Sequence, residues 1–566
     1  MLGQAIDRIT TRRLLAGAIV VAVAFTLALA YGTGYGSRNQ LTYLVEPLHR
    51  ANPALYARDW LVGTTTMYHP VFAWLVTPLY ALDPRGARAF GLAQLAVMTA
   101  TWLVIDRMLG ALVPRGRLPM FLLLAGLLAL GGGRAIAGSY LFAGYLQPSS
   151  LASLGWLVAL LAWLRDRPLV AGVVLALGGA LHVNFLVLGI GWMTAVELST
   201  WRLGSSRPSG PSRLNRLRRL AAVVGPSLVV LAGFAPTLIG HAGGEHAAES
   251  LRILVKFSAP GHYDPARVSR WLVPLIAWLV VAWAVLPAVR EAAGAVADRL
   301  WRLAAVGTAI VVGAIVVARL PGCLGVTRLF APRIAPFAQL ASQLLVIAAA
   351  LAPAGAALAR GRALVVIGAA VLIAAAVRLD GGHYQYAGAL ALVAGAGIAR
   401  SLGRRRIAIA IAVATCVIAL AAEREALLDP PVFWPECGGT GCALAHWAET
   451  STPVDAVFLT PPGLGWFRLI ARRAIVVDTK SPPLYPDELV GWYGRLCAVV
   501  GVADAPTHEW VEARWATLTA VQLTAAAQRF GADYVVLDKH ESASRLAKSV
   551  APMVYEDSDR IVYRVR

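Results

Sequence analysis

Charge is what this sequence has little of. Charged residues occupy 14% of its 566 positions and hydrophobic residues 58%, a balance that excludes an ordinary soluble protein and points to a polytopic membrane protein. Cysteine is scarce as well. Of the five, Cys416 lies in an apolar run, and Cys437 and Cys442 form a close pair in CGGTGC. With only His446 nearby and no second pair at zinc-ligand spacing, that pair reads as a small disulfide loop or free thiols rather than a zinc site. No glycine-rich phosphate loop stands ahead of a helix, which argues against a nucleotide-dependent site at the inner face.

What the sequence does have is arginine beside apolar runs. The formal charge of +20 would suggest nucleic acid in a soluble chain, but here the basic residues flank hydrophobic segments and read as topology signals. The run RLNRLRRL from Arg213 to Leu220 is taken as a basic cytoplasmic loop, with a lipid-headgroup patch as the other reading and no nucleic-acid partner expected.

Met1 to Arg13 is short and basic, and Leu14 to Ala30 has about the length needed to span. The segment HPVFAWLVTPLYALDP has an apolar core of only about 13 residues, bounded and interrupted by proline, and reads as a helix lying in the interface. Spans then follow at roughly 88–108, 118–133, 150–164, 169–181, 184–200, 220–239, 271–288, 303–319, 336–352, 363–378, 385–399 and 406–421, about thirteen in all. This count makes every inside turn basic. From about Ala422 the pattern changes. VDAVFLT, RAIVVDT and ADYVVLD read as buried strands separated by helical stretches, and IVYRVR as a closing edge strand. The expectation is a transmembrane unit over 1–421, with a first external loop at 31–87, and a small external α/β domain over 422–566 in a multi-pass plasma-membrane protein.

The stretch from Tyr31 to Pro70 sets polar groups directly beside apolar helices, where they are costly unless they line a wet cavity or a substrate site. It is the leading candidate for an active site. Other polar or aromatic segments on the same side are GGGRAIAGSYLFAGYLQPSS, the loop containing PGHYDP, and RLPGCLGVTRLFAPRIAP.

In this organisation the chain resembles the GT-C superfamily of membrane glycosyltransferases, which includes protein O-mannosyltransferases, aminoarabinose transferases and oligosaccharyltransferase catalytic subunits. The resemblance rests on one span followed by a large external loop, Tyr68 and His69 before Pro70, a proline-bounded interfacial helix, many further spans, and HWAETSTPVDAVFLT opening an external domain. It implies transfer of a sugar from a polyprenyl-phosphate carrier to an acceptor at the outer face, assisted by an acid of the first loop. Where that acidic pair is expected this chain has Asn39 and Gln40, and amides cannot act as general bases.

Asp59 is therefore the expected base, with Glu46 second; the plainer reading of Asp59 is pairing with Arg58 or capping a helix. The two could also hold Mg²⁺ or Mn²⁺ through oxygen, although no spacing demands a metal. Arg328 and Arg333, with His69, are expected at the donor phosphate, since guanidinium binds phosphate oxygens bidentately. Asn39, Tyr68, His182, His262 and Tyr263 are expected at the substrate, a buried satisfied histidine being the other reading of His182. Trp-Trp-Asp, the acceptor motif of oligosaccharyltransferases, is missing; LTPPGLGWF stands in that region, which disfavours asparagine sequons as acceptor. A non-catalytic subunit of a polysaccharide assembly complex is the alternative function.

Overall fold

The computed structural model describes the chain apart from residues 1, 33, 67–68, 115, 205–211, 241–244, 270–271, 353–355, 380–383, 423–438 and 541–550. It is a bundle of helices capped at one end by loops and by a mixed sheet with its own helices. A helix lies at every segment expected to span. Among the described residues eight helices are long and apolar enough to cross a membrane, including Arg213–Gly240 and Leu272–Ala293; Pro148–Leu164 and Pro168–Leu181 are apolar but shorter.

Proline sets several starting points. Pro70, Pro148, Pro168 and Pro260 each stand in the first turn of a helix, where the missing N–H costs nothing and the fixed φ favours the helix. The helix Pro70–Leu82 has 13 residues, about 20 Å at 1.5 Å per residue and so too short for a hydrocarbon core of about 30 Å. It buries Phe72, Ala73, Val76 and Tyr80 while leaving Trp74 71% and Leu82 79% exposed. The helix Ala335–Leu351 is buried along its whole length and forms the axis of the bundle.

The loops sort onto two ends. At one, Arg219 and Arg299 both pair with Asp166, and Arg219 also grips the buried Glu197. This joins three of the arginine-rich turns. At the other end Gly34 N–H donates to the Gly144 carbonyl, Asn184 to that of Leu329 and Arg328 to that of Ala247. The polar loops singled out in the sequence therefore meet one another.

The sheet docks on that second end. Its order is β2-β1-β3-β5-β4, with β1 Val457–Leu459, β2 Ala474–Ile475, β3 Tyr534–Asp538, β4 Met553–Glu556 and β5 Arg560–Arg564. β1 runs parallel to β2 and β3, while β5 is antiparallel to β3 and β4. The closing segment is thus not an edge strand: β5 is covered on both sides and β4, with its exposed residues, forms the edge. Nor does the core of this unit begin cleanly after residue 422, because Ile253, Leu254 and Phe257 of an earlier loop pack with Trp492 and Tyr493 in it. Cys442 is disulfide-bonded; Cys437 lies outside the described residues.

Candidate active site

Two polar clusters occupy the junction of loops, bundle and sheet. The first surrounds Arg468, on the helix Trp466–Ala471. Its Nε donates to Asp59 Oδ2 at 2.9 Å and its Nη1 to Asp478 Oδ2 at 2.5 Å, and all three side chains are at most 3% exposed. Asp59 Oδ1 accepts from the Leu61 and Val62 amides, capping the helix Trp60–Thr64, and Oδ2 also accepts from the Ile475 amide. Asp478 Oδ1 takes the amides of Lys480 and Ser481. The flanking carboxylates more than offset burial and hold the Arg468 pKa above the usual arginine range.

In this geometry Asp59, the expected base, is engaged in holding the fold. Asp59 does cap a helix, but its charge partner is Arg468, 409 residues away, not Arg58, which pairs with Asp533. Glu46 is spent in an ion pair with Arg50 at 2.6 Å on the helix Val45–Ala51. With the Asp59 oxygens taken by three amides and a guanidinium, the two acids do not fit a divalent cation, and no group of three metal-ligating side chains occurs among the described residues.

The second cluster surrounds Arg333, in the short turn Ala331–Ile334 that enters the axial helix. Its Nη1 donates to His182 Nε2 at 2.5 Å. Because guanidinium only donates, that imidazole is neutral with its proton on Nδ1. His69 packs at a tilt against His182 with ring centroids 4.3 Å apart, and Tyr43 closes on His69 edge-on at 4.9 Å. Burial, reinforced by Arg333, pushes the His69 pKa down to about 3. Phe185 and Phe330 each lie 5.1 Å from the guanidinium. The titratable groups close enough to act on Arg333 are the phenols of Tyr43, Tyr140 and Tyr263. Among the described residues no carboxylate pairs with it.

Asn39 joins this cluster from the first loop. Its Nδ2 donates to Gln147 Oε1 at 3.1 Å, its Oδ1 accepts from Lys480 Nζ at 3.2 Å, and Gln147 in turn donates to the Tyr140 hydroxyl. Gln40, fully buried, accepts from the Gly36 amide and donates to the Leu146 carbonyl. Each amide is used as donor and acceptor at once, which a carboxylate cannot do. The departure from an acidic pair is thus built into the hydrogen bonding of the loop.

His262 donates from Nδ1 to the Ala137 carbonyl and packs on Phe330, as does Tyr263 at 5.2 Å. Tyr263, Val268, Ile315, Val326 and Phe330 line an apolar crevice beside Arg333. Arg328 donates to the Ala247 carbonyl and the Ser250 hydroxyl, and it and Arg333 both lie close enough to act on the Tyr263 phenol. Tyr68 lies outside the described residues. Of the expected set, Asn39, His69, His182, His262, Tyr263 and Arg333 gather, with Arg328 also close to Tyr263; Asp59 and Glu46 are engaged elsewhere. Tyr43, Tyr140, Gln147 and Lys480 join them unforeseen.

Three comparisons bear on this arrangement. A family described only as a domain of unknown function, DUF6798, matches residues 441–499. No curated protein matches the sequence. Among solved structures the chain is similar to ArnT from Cupriavidus metallidurans bound to undecaprenyl phosphate, at 15% identity and a TM-score of 0.48 over 98% of each chain. The same ArnT in the apo state gives 14% and 0.47 over 99% of this chain and 98% of that one. An Archaeoglobus fulgidus oligosaccharyltransferase gives 12% and 0.46 over 98% of this chain and 74% of that one. The likeness is one of fold.

Proposed function

We propose that this protein is a GT-C-like glycosyltransferase that binds a polyprenyl-phosphate-linked sugar at Arg333 and moves the sugar to an acceptor at the outer face of a membrane. The observation that carries the reading is the Arg333 guanidinium, enclosed by aromatic rings and two histidines and, among the described residues, without a carboxylate partner. An uncompensated cation in such a place costs several kcal/mol, which an anionic ligand repays. Guanidinium suits phosphate because two N–H groups meet two oxygens and its charge does not titrate. His182 orients it. The apolar crevice alongside suits the first isoprene units of the carrier.

In the transfer, the bond from the anomeric carbon to the phosphate oxygen breaks, its electron pair stays with the phosphate, and the acceptor oxygen forms the new bond. The acceptor's proton must go elsewhere. Asp59 and Glu46 are engaged outside the pocket, and a histidine held at a pKa of about 3 is a weak base. The departing phosphate, with a second pKa near about 6, is the group present that takes it. Arg333 steadies the charge developing on that phosphate.

The test is deletion of the protein and complementation with wild type or Arg333→Gln, followed by mass spectrometry of envelope glycans and lipid-linked sugars. Loss of one glycan with build-up of its lipid-linked donor, unrepaired by Arg333→Gln, is expected; unchanged pools overturn the reading. The absence of a carboxylate around Arg333 favours a second reading, a non-catalytic subunit that holds the lipid-linked sugar for a partner enzyme. Purified protein that binds the donor yet turns over no acceptor would select it.

A further inference from the structure

We infer that Arg38 and Lys480 form an outer anion subsite that reads a second acid group on the substrate, beyond the phosphate held by Arg333. The inference rests on the reading of Arg333 as the phosphate site. It names a determinant of which donors are accepted.

Arg38 is exposed and has a backbone φ of +47°, a left-handed conformation that costs a non-glycine residue about 1 kcal/mol or more. Its carbonyl accepts from the Leu41 amide, but among the described residues its side chain makes no hydrogen bond or ion pair. Lys480 is brought in from the sheet unit and is likewise exposed. Its turn is fixed from both sides. Asp478 accepts the Lys480 and Ser481 amides, and Thr42, next to Tyr43 of the Arg333 cluster, donates to Ser481 Oγ at 3.2 Å.

The ammonium group then reaches Asn39, and from it a hydrogen-bonded chain leads through Gln147 to Tyr140, one of the phenols beside Arg333. His262 lies in the field of both Arg333 and Lys480. Burial lowers the Lys480 pKa, Asp478 opposes that shift and Arg38 adds to it. The Asp478 carboxylate is already shared among Arg468 and two amides. Lys480, bonded to Asn39, and Arg38, the residue before Asn39, thus stand together at the outer end of this hydrogen-bonded chain, and among the described residues neither is in an ion pair.

Two sources supply such an acid group: the second phosphate of a diphosphate linkage, or a carboxylate on the transferred sugar. The experiment measures binding of full-length detergent-purified protein to four probes: geranylgeranyl phosphate, geranylgeranyl diphosphate, and geranylgeranyl phosphate carrying glucose or glucuronic acid. Wild type is expected to prefer the diphosphate over the monophosphate, or the glucuronate over the glucose conjugate, by about tenfold or more. Lys480→Gln and Arg38→Gln, both exposed positions, should erase that preference by bringing the diphosphate or glucuronate probe down to the affinity of its partner probe. No preference in either pair, or one that survives in the double variant, overturns the inference. Monophosphate binding retained in full by Arg333→Gln would instead overturn the phosphate reading beneath it.

Discussion

Arg468 and Arg333 are two arginines enclosed within about the same junction of loops and sheet, and they do opposite things. Arg468 sits between two carboxylates, each further satisfied by backbone amides. Its charge is balanced and serves to bolt the first loop to the sheet unit. Arg333 is surrounded by rings, phenols and a neutral histidine, with its charge left over. A buried arginine is therefore read from its counter-ions. Where they are supplied by the chain the residue holds the fold, and where the described residues supply none, as at Arg333, a phosphate is the counter-ion we propose.

The comparison can be broken by substitution. Arg468→Met should give the largest effect, because it strands Asp59 and Asp478 as buried unpaired charges, a loss of about 3–5 kcal/mol. Thermal unfolding in detergent would show it, and an unchanged melting temperature would contradict the bolt. Asp59→Asn should come next, at about 2–3 kcal/mol, since one charge-assisted bond to Arg468 is lost while some of the amide contacts survive. Any fall in activity should then track the loss of folded protein, whereas full stability with abolished transfer would restore Asp59 as a catalytic group. Arg333→Gln should leave the unliganded melting temperature within about 1 kcal/mol of wild type or raise it, because it removes an uncompensated cation.

The last effect concerns pH. His69 has its folded pKa depressed to about 3 from an ordinary value of 6.5, so the unfolded chain binds more protons in between. Stability from keeping it neutral is present above pH 6.5 and falls as pH drops from there toward 3. His69→Phe should show a shallower decline of melting temperature over pH 6.5 to 4.5 than wild type.

The sequence carried the bundle well, because apolar runs of spanning length and arginine-rich turns are local signals. It also pointed to Arg333, as a guanidinium suited to phosphate, and, through the resemblance, to His182 and Tyr263, which lie beside it. It did not carry the partner of Asp59, because Arg468 is 409 residues distant and sits in an unremarkable helix. Lys480 was illegible for a similar reason. A lone lysine after a short strand looks like any solvated charge until Asp478 and Thr42 are seen to pin its turn. IVYRVR was misplaced at the edge because its alternation suits either position, and only pairing with β4 decides.

The most direct test of the central claim is titration of wild type, Arg333→Gln and Arg468→Lys with geranylgeranyl phosphate, read as a shift in melting temperature. Wild type should be stabilised by the ligand, Arg333→Gln should start from a similar melting temperature and show a shift at least about tenfold weaker in apparent affinity, and any folded Arg468→Lys should bind as wild type does. Equal binding by Arg333→Gln, or loss of binding confined to Arg468→Lys, would contradict the account.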